Sequence, residues 1–145
     1  MNKYVAGLIV AAVAAATGFV IHVASQDWLE SWVSAQMQGH QVAASWDVRY
    51  LALVTSLEIG VGLVILYALV RSALPAKSSV GRGLMLAILL LAVMGRLVRQ
   101  PVMNLAIGNP LPVVAVQDGT IWLLWLCVCL VVAAGYDFLV PRHAP

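Results

Sequence analysis

Residues 83–104 read GLMLAILLLAVMGRLVRQPVMN, an apolar run whose second half carries Arg96, Arg99, Gln100 and Asn104. A helix needs about 20 predominantly apolar residues to cross the hydrocarbon core of a bilayer. This run has that length, and three others like it occur along the chain. We read spans at about residues 4–23, 50–70, 83–103 and 120–138. They imply an all-α, polytopic membrane four-helix bundle forming a single transmembrane domain over residues 1–145.

Composition points the same way. Of 145 residues, 63% are hydrophobic and 10% charged, against about a quarter charged in ordinary soluble domains. The mean hydropathy is +0.97. So much apolar surface has no place in a water-soluble core of this size, so lipid is the expected solvent. The basic residues are dispersed and the net charge is only +2, which excludes the clustered basic footprint of a nucleic-acid binder. The run after Lys3 is longer than the usual 7–15 apolar residues of a cleaved signal, so we read it as an uncleaved first span.

Orientation follows from the bias of basic residues toward the cytoplasm. Lys3, Arg71, Lys77, Arg82 and Arg142 flank the spans on one side. On the other, Arg49 stands among Asp27, Glu30, Asp47 and Asp118. Both termini are therefore expected in the cytoplasm, with the chain in the plasma (inner) membrane of a bacterium. Trp28, Trp32, Trp46 and Trp122 gather at the outer boundary, where amphipathic rings sit well. Asp118 reads as an N-cap of the fourth span.

Between the first two spans, Trp28, Leu29, Trp32, Val33 and Met37 form one broad helical stripe. We expect an interfacial amphipathic helix over about 27–38, capped by Asp27 and ended by Gly39. It would lie along the outer surface as a lid over the bundle or as a docking surface for a partner.

The charges inside the runs carry the functional information. A charge at mid-bilayer costs about 2.5–3.5 kcal/mol on insertion scales, so such groups face protein or water and find partners. Glu58 is thirteen residues before Arg71, and Arg96 is fourteen after Arg82. At 1.5 Å per residue both lie about 20 Å from the basic side, so the two are expected to pair. Arg99, Gln100 and Asn104 extend the polar face of the third span. Pro101 removes a backbone donor there and crowds the carbonyl of Leu97, which predicts a kink or helix end beside the charges. His22 lies on the stripe Gly7, Ala11, Ala15 and Gly18, whose small residues permit close helix contact. In the second span Thr55, Glu58 and Gly62 share a face. The expected site is thus His22, Glu58, Arg96, Arg99, Gln100 and Asn104. Its alternative reading is a structural ion pair with interhelical hydrogen bonds around it.

Sharper chemistry finds little support. Only His22 lies within a span, too few for bis-histidine haem ligation. His22, Asp27, Glu30 and His40 match no familiar metal spacing, so we assign no metal and no cofactor. Cys127 and Cys129 are two small residues of an apolar helix. No catalytic residue stands out: Ser56 and Glu58 point apart on a helix. The expected role is a non-catalytic membrane subunit or binding protein with an embedded polar site for a partner, a lipid headgroup or a small anionic ligand. It would contact membrane lipids and assemble as a homo-oligomer or within a larger membrane complex. The alternatives are an oligomeric transporter or channel, and a membrane enzyme acting on a lipid or quinone.

Overall fold

The computed structural model describes residues 2–36 and 48–140, and among them every regular element is helical. Helix α1 covers Lys3–Gln36, α2 Val48–Val70, α3 Ser79–Val93, α4 Arg99–Ala106 and α5 Leu111–Leu139. Two of them, α1 over Lys3–Ser25 and α5 over Leu111–Leu139, are long and apolar enough to cross a membrane. Shorter apolar stretches lie in α2 at Thr55–Val70 and in α3 at Ser79–Val93.

Helix α5 is the hub. It packs against α1 and α3 and, to a lesser extent, against α2 and α4, while α2 lies mainly on α1. Small residues set how close the helices come. A Cβ on Gly60 would stand 2.6 Å from the Ala11 carbonyl oxygen, and one on Gly83 would stand 3.1 Å from that of Cys129. Glycine is required where backbones meet so closely. The small-residue stripe of α1 is used as expected, with Ala11 and Ala15 against Gly60, Gly18 against Val128 and Gly7 against Val64. The core joins Val10, Ala14, Leu63, Val64, Tyr67, Leu86, Val128, Val132 and Ala133.

The outward faces are apolar as well. Leu53, Leu57, Val61, Ile65 and Leu69 form one exposed stripe down α2, and Val80, Leu84 and Ile88 another down α3. A monomeric protein in water seldom exposes contiguous apolar surface on this scale.

Three local expectations are corrected. The expected interfacial helix over 27–38 is not a separate element, because α1 runs unbroken through Asp27 to Gln36. No turn-forming residue interrupts it, so no helix begins at Asp27. Trp28 is exposed and Trp32 half-buried on its last turns; Trp46 and Gly39 lie outside the described residues. Helix α5, expected as the fourth span, starts at Leu111 rather than near 120, with Pro110 at its N-cap and Pro112 in its first turn. Proline suits that turn, whose N–H groups have no partner within the helix. Asp118 is therefore no N-cap; it lies two turns inside α5.

The third correction is that the run 83–103 is not one helix. Helix α3 ends at Val93 and α4 begins at Arg99. Gly95, at φ +68°, turns the chain. The N–H of Gly95 donates to Ala92 O at 3.0 Å and that of Arg96 to Leu91 O at 2.8 Å. This is the paired bonding of a glycine-terminated helix, which satisfies its last carbonyls. Gly108, at φ +89°, ends α4 in the same manner, with Gly108 N–H on Leu105 O and Asn109 N–H on Asn104 O, both at 3.0 Å.

Candidate functional site: a helix break against a buried aspartate

The break between α3 and α4 faces α5. Met94–Val98 lie outside regular helix. Pro101 falls in the first turn of α4, where its missing N–H is harmless, and it withholds the donor that the Leu97 carbonyl would take in a continuous helix. The indole Nε1 of Trp122 donates to the Arg96 carbonyl at 2.8 Å, tying the break to α5. One turn earlier on α5, Asp118 is 2% exposed. Its carboxylate faces the Asn104 side chain and lies in the field of Arg96. Its Oδ2 is buried with no hydrogen-bond partner. An orphaned buried oxygen of this kind is uncommon and calls for an explanation.

Of the residues expected in one site, Arg96 and Asn104 come together here around Asp118. Gln100 is half-buried in α4. Arg99 is exposed, its stem lying against Gly95. The other two lie elsewhere. His22 lines a separate cavity of about 210 Å³ with Ala14, Gly18, Thr55, Ser56, Ile59, Leu124 and Val128. Its carbonyl accepts from Ser25 Oγ at 2.8 Å. Glu58 is exposed, on the face of α2 that it shares with Thr55 and Gly62, opposite buried Ser56, Leu63 and Tyr67. The space over Gly62 is open.

No ion pair joins Glu58 to Arg96, and their heights explain why. Helices α1 and α5 run antiparallel, with Val10 against Gly135 and Gly18 against Val128. Gly60 meets Ala11 and Ala15, which puts Glu58 level with about residue 130 of α5. Arg96 sits at Trp122, some eight residues or about 12 Å away along that helix. The depth count from Arg71 and Arg82 misleads because these two arginines are not level. Arg71 donates to Val140 O at 3.0 Å, beyond the last turn of α5. Gly83 instead touches Cys129 and Leu130. The link between α2 and α3 climbs, and α3 starts higher than α2 ends.

The buried ion pair of this fold has other members. Arg82, expected outside the apolar layer, is 6% exposed. Its Nη2 bonds Asp137 Oδ2 directly. Its Nε donates to Tyr67 Oη at 3.0 Å and to the same Asp137 oxygen at 3.1 Å. Its Nη1 takes the carbonyls of Ala76 and Lys77 at 3.1 and 2.9 Å. Tyr67 Oη donates to Asp137 at 2.7 Å, and Arg71 Nη1 stands 3.6 Å from its other oxygen, which like Asp118 Oδ2 is buried without a hydrogen bond. Arginine suits such a site because its fork of donors is rigid and permanently charged. This cluster ties the ends of α2 and α5 to the start of α3.

Asp118, read from the sequence as an N-cap, and Asp137 are two buried acids that the sequence reading did not place in a site. Asp118 was legible as an acid following an apolar stretch, since residues 113–116 are already span-like. Asp137 had a signal too: an acid in the last turn of a span on the side where basic residues collect. Among the described residues, no group of three His, Cys, Asp or Glu side chains gathers as a metal site. No protein-family model matches the chain, and neither the curated proteins nor the solved structures contain a match to it.

Proposed function

We propose that the chain is an integral membrane protein of four spans, α1, α2, the broken α3–α4 unit and α5, with both ends in the cytoplasm. The proposed location is the plasma membrane of a bacterium. Within it the protein acts as a non-catalytic subunit or binding protein, holding a small anionic ligand at the α3–α4 break. Apolar stripes on the outward faces of α2 and α3 support the membrane reading. So does the gathering of Lys3, Arg71, Lys77 and Arg82 at one end of the bundle.

The observation that carries the binding reading is the break itself, set beside charge. Irregular backbone at membrane depth is tolerated where it is buried in protein or lines a cavity. Arg96 and Arg99 against Asp118 leave one positive charge in surplus, which favours an anion, and guanidinium is the group best suited to oxyanions. Inorganic phosphate and sulfate are the direct probes. Each should raise the unfolding temperature of the purified protein in mild detergent, and Arg96→Gln should abolish the shift without altering helix content. No shift with either anion, or an unchanged shift in the variant, rules out the anion site. Resistance to alkaline extraction from membranes tests the membrane reading separately.

One feature favours transport as a second reading. Broken helices recur where transporters bind coupling ions, and the unpartnered Oδ2 of Asp118 is an acceptor for a proton or cation. In that case ion flux into proteoliposomes should vanish in Asp118→Asn.

A further inference from the structure

Far from the break, the outer surface between α1 and α2 is cut by a groove of about 540 Å³. Its floor is made by small residues, Gly7 and Ala11 from α1 and Ala68 from α2. Leu8, Val61 and Ile65 form its apolar walls, and Lys3 stands at its mouth. We propose that this groove seats one acyl chain of an anionic phospholipid, with the headgroup phosphate on Lys3. The proposal rests on the membrane reading above but not on the anion site.

Two observations select this occupant. The first is length. The groove runs from Lys3 to Ala11 and from Leu69 back to Val61, eight residues or about 12 Å on each helix. That falls within one leaflet, which is about 15 Å deep, half of a hydrocarbon core about 30 Å thick. A neighbouring helix would press along the whole span, whereas one chain of the near leaflet stops midway. The second is charge. Among the described residues this end carries Lys3, Arg71, Lys77 and Arg82 against Asp137 alone. Lys3 is exposed, its ammonium 5.3 Å from the centre of the Tyr4 ring, so it is placed to meet a headgroup. A lysine near an anionic lipid surface contributes about 1 kcal/mol of attraction.

The test uses the full chain, reconstituted in vesicles of phosphatidylethanolamine and phosphatidylglycerol in equal parts. It is then transferred to mild detergent and weighed by native mass spectrometry. The expected result is one retained phosphatidylglycerol in preference to phosphatidylethanolamine. Lys3→Glu should cut that retention about fivefold or more, the scale of one surface lysine. Ala68→Phe fills the groove from an exposed position and should abolish retention of either lipid. Arg99→Gln, at the other end, should leave retention unchanged. Equal retention of the two lipids, or wild-type retention in Lys3→Glu, overturns the proposal. Should Ala68→Phe fail to fold, the Lys3 variant alone decides. Loss of the protein on alkaline extraction would instead count against the membrane reading.

Discussion

Helix α5 carries a buried aspartate toward each end, each with one oxygen lacking a hydrogen bond, and the two differ in the cations beside them. Asp137 is held through Oδ2 by Arg82 and Tyr67, and its Oδ1, which has no hydrogen bond, stands 3.6 Å from Arg71 Nη1. Asp118 is more deeply buried; its Oδ2 likewise has no hydrogen-bond partner, but the cation in whose field it lies, Arg96, belongs to a helix break. Nineteen residues separate them, about 28 Å of helix, close to the thickness of a hydrocarbon core. One end of the bundle is a closed clamp in which almost every donor is used. The other end keeps spare hydrogen-bonding capacity beside irregular backbone. A buried acid bonded by several donors of one arginine fixes a fold, whereas the acid beside the chain break is the one on which the proposed binding site rests.

The contrast is sharpest under truncation. Asp137→Ala leaves Arg82 buried without its counter-ion, and breaking a buried pair in this way costs about 3–5 kcal/mol. Denaturant unfolding in detergent should show a loss on that scale; a loss below about 1 kcal/mol would mean the clamp contributes no more than a surface pair. The break is tested next. Gly95→Ala forces a side chain into a left-handed conformation, at about 1–2 kcal/mol, and should destabilise the protein by that amount. A neutral result would show that the chain does not turn at Gly95. Asp118→Asn should have the smallest effect, about 1 kcal/mol or less, because the isosteric amide keeps the packing and only the field of Arg96 is lost. A loss approaching that of Asp137→Ala would make the two ends alike.

How much of this was legible in the sequence depends on the kind of signal. Apolar runs locate the helices, because burial in lipid or core is read off hydropathy. The close contacts of α1 were legible in Gly7, Ala11, Ala15 and Gly18, since small residues at helical spacing have one obvious use. Pro101 marked the neighbourhood of the break, but the turn is made one and a half turns earlier by Gly95, whose signal is an isolated glycine after the apolar run. Partners of charges were not legible. Pairing Glu58 with Arg96 assumed that two basic residues flanking a short link are level. The long side chain of Arg82 reaches back to Asp137 instead, so the backbone of α3 sits higher and the count slips. Asp118 was assigned to a cap because the helix start was placed after it, and Pro112 then looked like part of a turn rather than the first turn of α5.

Proximity around the break decides between the two arrangements most directly. In a Cys127→Ser, Cys129→Ala background, the pairs Asn104→Cys with Asp118→Cys and Glu58→Cys with Arg96→Cys can each be treated with a short bifunctional thiol reagent. The 104–118 pair should cross-link within one chain, and the 58–96 pair, about 12 Å apart in height, should not. Cross-linking of the second pair without the first would contradict the site described at the α3–α4 break.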